Sequence, residues 1–175
     1  MRIGPYTCER KNFCVFPNSS ITTEKLSSLL PSRILKISVK NVLFELAKII
    51  NEIYLNADID YPDLSLKKPS KQKYKFVKFG KNVLIGKNVE VGKNTTIGSN
   101  TIIEQNVKIG KNCIIGSNLT IKNSLIGDRV ILQDGSKIGQ KGFGFIPMKD
   151  KNIKFPHIGK VIIDDDVEIA SNCTI

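Results

Sequence analysis

From Phe79 onward the chain keeps a beat of six residues: FGKNVL, IGKNVE, VGKNTT, IGSNTI, IEQNVK, IGKNCI, IGSNLT. A large residue, nearly always branched and apolar, opens each block, at Phe79, Ile85, Val91, Ile97, Ile103, Ile109, Ile115 and Ile121. The register then slips by one residue and resumes at Ile126, Leu132 and Ile138. It breaks for a loop and returns at Ile163, Ile169 and Ile175. A period of six does not fit a helix, and a Gly and an Asn in nearly every block would dismantle one. Separate antiparallel strands would need alternation with irregular turns. An even six-residue beat favours a solenoid: three blocks make one coil of a triangular prism, and successive coils pair as parallel strands.

Each position in the block has a physical role. Position one points inward and stacks on its counterparts in neighbouring coils. Position five (Val83, Val89, Thr95, Thr101, Val107, Cys113) also faces inward, where the corner leaves less room. Glycine at position two suits a corner where a side chain would crowd the backbone. Asparagine at position four, Asn82 through Asn118, tolerates the left-handed backbone conformation. Lysine at position three (Lys81, Lys87, Lys93, Lys111) faces solvent.

Ahead of the prism the pattern changes. Ile34–Val39 reads as a short strand. Asn41 is a helix cap for VLFELAKIINEIY, with Leu43, Leu46, Ile50, Ile53 and Tyr54 on one face. The polar stretch that follows holds two prolines and reads as a linker into the first coil. The expected class is therefore mainly β: a parallel β-helix preceded by a small partial α/β segment. The boundaries are 1–56 for that segment, 57–78 for the linker and 79–175 for the β-helix, with a loop insertion at 139–161.

The chain carries 27 Lys and Arg against 16 Asp and Glu, net +11. That excess suits nucleic acid, an anionic membrane or an acidic protein, and equally a Lys- and Asn-rich composition with no partner behind it. Cys8, Cys14, Cys113 and Cys173 lack metal-like spacing, and a reducing cytosol fits them better than a disulfide framework. The N-terminus does not read as a signal peptide, and Val42–Ile50 is far too short to span a bilayer, which takes ~20 residues.

The loop GQKGFGFIPMKDKNIKFPHIGKV interrupts the beat from Gly139 to Val161. Excursions from a solenoid are often functional. Gly142 and Gly144 flank Phe143, so the backbone there can approach a ligand or another subunit closely. These three are the candidate substrate-binding residues. A tight turn with two phenylalanines covering the prism wall explains the same letters. GFGF lacks the lysine and helix context of a phosphate loop. Asp164, Asp165 and Asp166 read as turn residues of a hexad rather than metal ligands, and no metal is expected. His157 is the only histidine; no carboxylate is identifiable to orient it as a base.

GQKGFGF followed by KFPHIGKVIIDDDVEIASNCTI resembles the middle of the UDP-3-O-acylglucosamine N-acyltransferases of lipid A assembly. Pro156, Gly159, Val161, Ile163, Asp165, Val167, Glu168 and Ile169 match that family's pattern, and Ala170 stands for a glycine. Upstream, VKNVLFELAKI from Val39 to Ile49 is similar to the segment closing the family's uridine-binding domain, with Val42 in place of a proline. The resemblance implies a left-handed prism and transfer of a 3-hydroxyacyl group to the 2-amine of a UDP-sugar substrate. The donor is an acyl carrier protein thioester, with no other cofactor. It also implies a homotrimer at full length, in the cytoplasm, with no nucleic-acid partner and no transmembrane segment. The position-three lysines would offer acidic acyl carrier protein a landing surface.

The departures shape the expectation. The family's catalytic histidine belongs to a later coil, expected beyond Ile175, and His157 aligns with a variable loop position. Gly4-Pro5-Tyr6 is not a convincing match to the family's uracil-contacting segment. The chain therefore reads as truncated at both ends and inactive by itself. A non-catalytic β-helix scaffold and another hexapeptide transferase acting on a UDP-sugar are the alternatives.

Overall fold

The computed structural model describes residues 13–16 and 19–175. Cys8 and Gly4-Pro5-Tyr6 lie outside the described residues. The chain divides into two compact units. One is Met1–Asp60 with Gly142–Ile158, the other Tyr61–Lys141 with Gly159–Ile175.

In the first unit, β1 (Phe13–Phe16) pairs antiparallel with β2 (Ser19–Thr22). A single helical turn, α1 (Glu24–Ser27), leads to β3 (Leu35–Ser38), which pairs parallel with β2. The helix α2 (Val42–Ile53) starts where its cap requires, with Asn41 Oδ1 accepting the Phe44 N–H at 3.1 Å. Its packing face differs from the expected one. Val42, Leu46 and Ile49 meet Ile21 of β2, whereas Ile53 and Tyr54 are exposed. Only Leu46 belongs to both faces. Val42, Leu46 and Ile49 sit at i, i+4 and i+7, as good a stripe as the one expected from the apolar letters.

The second unit is the prism. Its first coil holds β4 (Lys78–Phe79), β5 (Leu84–Ile85) and β6 (Glu90–Val91). The second holds β7 (Thr96–Ile97), β8 (Ile102–Ile103) and β9 (Lys108–Ile109), the third β10 (Ile114–Ile115), β11 (Thr120–Ile121) and β12 (Ser124–Ile126). The fourth opens with β13 (Ile131–Leu132) and β14 (Lys137–Ile138). A hairpin of β15 (Phe145–Pro147) and β16 (Asn152–Lys154) intervenes in sequence before β17 (Val161–Ile163), and β18 (Glu168–Ile169) begins the next coil. Three parallel sheets run the length of the stack: β4-β7-β10-β13-β18, β5-β8-β11-β14 and β6-β9-β12-β17. These stacked parallel sheets are the parallel β-helix expected from the beat, and the left hand is the one the resemblance implies.

The position-one residues form three inward columns, and Ile97, Ile103, Ile121, Leu132 and Ile138 are fully buried. Position five does more than fill a narrow corner. Thr101 Oγ1 donates to the Gly116 carbonyl at 2.9 Å and accepts the Leu119 N–H at 3.3 Å. Thr95 repeats this with Gly110 and Cys113, and Ser136 with Ala170 and Cys173. A small hydroxyl residue can thus be buried at no cost in unmade hydrogen bonds. Cys113 also donates, to the Gly127 carbonyl at 3.2 Å, and burial pushes its thiol pKa up.

The asparagines behave as their position demands. Asn82 through Asn118 hold φ between 56° and 62°, and Asn82, Asn88 and Asn94 each donate to the asparagine one coil on. The one-residue slip has a local cause. Asn123 adopts φ 45° one residue early, and its Nδ2 donates to the Gly139 carbonyl at 3.1 Å. Position-two glycines have another reason. A Cβ built on Gly98 would lie 2.5 Å from the Gly116 carbonyl carbon, so the coils stack closely only without it.

Residues 61–78, polar and proline-bearing, lie with the prism. Lys67 pairs with Ile85 through two backbone hydrogen bonds. Tyr74 packs edge-on against Phe79 and donates its hydroxyl to the Val89 carbonyl at 2.9 Å. The segment thereby covers the first-coil end of the core.

Candidate substrate-binding loop

The chain leaves the prism at Gly139, where φ is 79° and an added Cβ would collide with the Lys122 carbonyl oxygen. Only glycine serves that exit. Beyond it, β15 and β16 form an antiparallel hairpin in which Phe145 faces Lys154 and Pro147 faces Asn152. The turn is closed by the Met148 N–H donating to the Lys151 carbonyl.

That register, continued outward, sets Gly144 opposite Phe155 and Gly142 opposite His157. The Phe155 N–H donates to the Gly144 carbonyl at 2.9 Å. The Gly142 N–H donates to His157 Nδ1 at 3.3 Å. A Cβ on Gly142 would lie 2.3 Å from His157 Cε1, so the close approach this glycine permits is to the imidazole. Gly144 is different: an added Cβ would make one ordinary contact, 3.9 Å from Phe155 Cβ.

Phe143 is 90% exposed, and its ring stacks edge-on against Phe145 at 5.0 Å. Two aromatic rings, an exposed imidazole and a backbone open at Gly144 therefore share one hairpin. His157 also anchors that hairpin within its own unit, its N–H donating to the Ala57 carbonyl at 3.3 Å.

The bond from Gly142 matters for chemistry. It engages the acceptor nitrogen of the neutral ring and leaves Nε2 to carry the proton. No carboxylate is hydrogen-bonded to the ring among the described contacts. In this tautomer His157 is a hydrogen-bond donor, suited to a phosphate or carbonyl oxygen, rather than a proton acceptor. The partnership was legible in principle: GQKGFGF and KFPH flank a polar turn at a spacing that an antiparallel hairpin brings into register.

The aspartates after the loop are turn residues. Asp165 Oδ1 accepts the Asp128 N–H at 2.8 Å. Arg129 bridges Asp165 and Asp166, its Nε 2.6 Å from Asp166 Oδ1. The hydrogen bond from Arg129 holds the Asp166 carboxyl below its ordinary range. Among the described residues no group of three His, Cys, Asp or Glu side chains could hold a metal ion. No helix among them is long and apolar enough to cross a membrane.

Comparison with known proteins bears on the prism first. Residues 76–109 and 88–123 match the family described as bacterial transferase hexapeptide (six repeats). Residues 76–123 thus carry a repeat of that family. Over 56 residues the chain is 52% identical to a UDP-3-O-acylglucosamine N-acyltransferase of Methylorubrum populi, covering 32% of this chain and 16% of that protein. The Methylorubrum extorquens protein of the same name matches to the same extent. UDP-3-O-acylglucosamine N-acyltransferase 2 of Nitrobacter winogradskyi is 50% identical over 57 residues, 33% of this chain and 17% of its own length. The chain thus resembles these acyltransferases over about a third of its length, and the match spans about a sixth of theirs.

Proposed function

We propose that this hexapeptide-repeat chain serves acyl transfer to a UDP-linked amino sugar. The reaction moves a 3-hydroxyacyl group from acyl carrier protein to the 2-amine of UDP-3-O-acylglucosamine in lipid A assembly. The observation that carries the reading is the hairpin at 142–158, with its Gly142–His157 pair, set in sequence within a prism whose repeats match a transferase family. In such a transfer the amine nitrogen attacks the thioester carbonyl, the C–S bond breaks, and the carrier thiol leaves. The amine must surrender a proton to a base as it attacks.

Within these 175 residues His157 is the one histidine, and its acceptor nitrogen is engaged by Gly142. We therefore assign it substrate contact, with Phe143 and the open backbone at Gly144 beside it, and no role as the base. Acyl carrier protein, the UDP-sugar and two further copies of the chain complete the partner set, in the cytoplasm, without a metal or organic cofactor.

Calorimetric titration with the UDP-sugar and a transfer assay with acyl carrier protein test this together. The chain should bind the sugar, bind it about tenfold more weakly as His157→Ala for one lost hydrogen bond to a charged group, and show no turnover. Turnover that disappears in His157→Ala would overturn the assignment of His157. A single engaged histidine also suits a non-catalytic scaffold, and failure to bind the sugar at all would favour that reading.

A further inference from the structure

A solenoid converts sequence order into position along an axis, because each coil stacks on the one before it. Charge in the prism unit is unevenly spread along that axis. Between Tyr61 and Lys93 there are nine lysines and two acids, Asp63 and Glu90. Over the rest of the unit, 94–141 and 159–175, seven Lys and Arg balance seven Asp and Glu. The whole excess of this unit therefore sits at the first-coil end.

All nine lysines are exposed. Neither acid is placed to neutralise them. Asp63 accepts the backbone N–H groups of Ser65 and Gln105, at 2.8 and 2.7 Å. Glu90 pairs with Lys108, at 3.0 Å. The lysines are also interleaved with apolar side chains turned to solvent: Leu64 is 93% exposed, Tyr61 61% and Phe76 60%. Lys93 lies over the Phe76 ring at 5.2 Å. The covering segment crosses the end of the core, from its pairing with Ile85 to Tyr74 over Val89, so lysines and apolar tips gather at one end of the stack.

We propose that the first-coil end of the prism is a docking face for an anionic lipid bilayer. Lysines give attraction to a negative surface within a Debye length, and apolar side chains among them enter the headgroup boundary. An acidic protein would be drawn by the charge alone. A bilayer also gives the exposed Leu64 and Phe76 an apolar boundary to enter, and a fluid surface needs no shape complement.

Sedimentation with vesicles tests this on the intact chain. Binding should be strong to phosphatidylcholine–phosphatidylglycerol vesicles, weak to pure phosphatidylcholine, and lost in high salt. Lys68→Gln, Lys71→Gln and Lys75→Gln together should lower partitioning about 100-fold, at roughly fivefold for each surface lysine. The same exchange at Lys111 and Lys160 should have a much smaller effect. Leu64→Ser should lower partitioning about tenfold without changing the salt dependence. All these positions are exposed, so circular dichroism should show unchanged folding. Absence of vesicle binding, equal loss from both lysine sets, or no loss with Leu64→Ser would overturn the proposal. Binding to soluble poly-glutamate with none to vesicles would assign the face to an acidic protein instead.

Discussion

Replacing Gly98 by alanine sets two effects against each other, and the structure decides the sign. Gly98 does not have left-handed φ, so alanine suits its backbone. Fewer unfolded conformations would then stabilise the protein by about 0.4–1 kcal/mol. The new methyl, however, would lie 2.5 Å from the Gly116 carbonyl carbon and oxygen, which are backbone and cannot rotate away. The Gly98 N–H also donates to the Ile115 carbonyl at 2.7 Å, and parting the coils stretches that bond. Overpacking of this kind costs about 1–3 kcal/mol. Gln133 occupies the equivalent corner two coils on, so the column can admit a side chain and the cost is not prohibitive. The expected net loss is about 1–2 kcal/mol. Gly144→Ala is the internal control: its methyl meets nothing closer than 3.9 Å, so only the entropic gain remains. Urea unfolding followed by circular dichroism should place the two midpoints on opposite sides of the unsubstituted chain. A Gly98→Ala protein as stable as the parent, or more so, would refute the claim that close coil stacking selects glycine there.

Three further outcomes follow from named contacts. Thr101→Val keeps the shape but orphans the buried Leu119 N–H and the Gly116 carbonyl, at about 1–3 kcal/mol, whereas Thr101→Ser should stay near the parent in the same unfolding experiment. Burial raises the Asp63 carboxyl, but hydrogen bonds from Ser65 and Gln105 outweigh it, and the folded pKa lies below the ordinary value. Its stabilising contribution is therefore complete above about pH 5 and lost as pH falls through the lowered folded value, and Asp63→Asn should flatten that acid limb of the stability curve. Gly142→Ala should displace the imidazole, so the His157 ring resonances should shift in a proton NMR spectrum while those of the prism core stay put.

Much of the prism could be read from letters because a solenoid repeats one local problem. Asparagine at each left-handed corner, a branched residue at each inward turn and glycine at each close stacking point recur every six residues, and Ile97, Ile103 and Ile121 fell where the beat put them. The cap at Asn41 was legible for the same reason: it is settled within four residues of chain. The packing face of α2 was not, since Val42, Leu46 and Ile49 and the stripe through Ile50 and Ile53 are both apolar. Only the sheet beneath decides between them. Residues 61–78 carry no periodicity, so nothing local announces that Tyr74 reaches the Val89 carbonyl.

The sequence by itself determined the β-helix, its corner chemistry, the point where the beat breaks and the glycine–aromatic loop that breaks it. These are consequences of backbone conformation and short-range burial, which individual residues encode. The tertiary structure decided that Gly142 makes room for His157 and that the Gly142 amide occupies the acceptor nitrogen. It also gathered nine lysines with Leu64 and Phe76 at one end of the stack. Those are facts about which distant groups meet, and that depends on hairpin register and coil stacking.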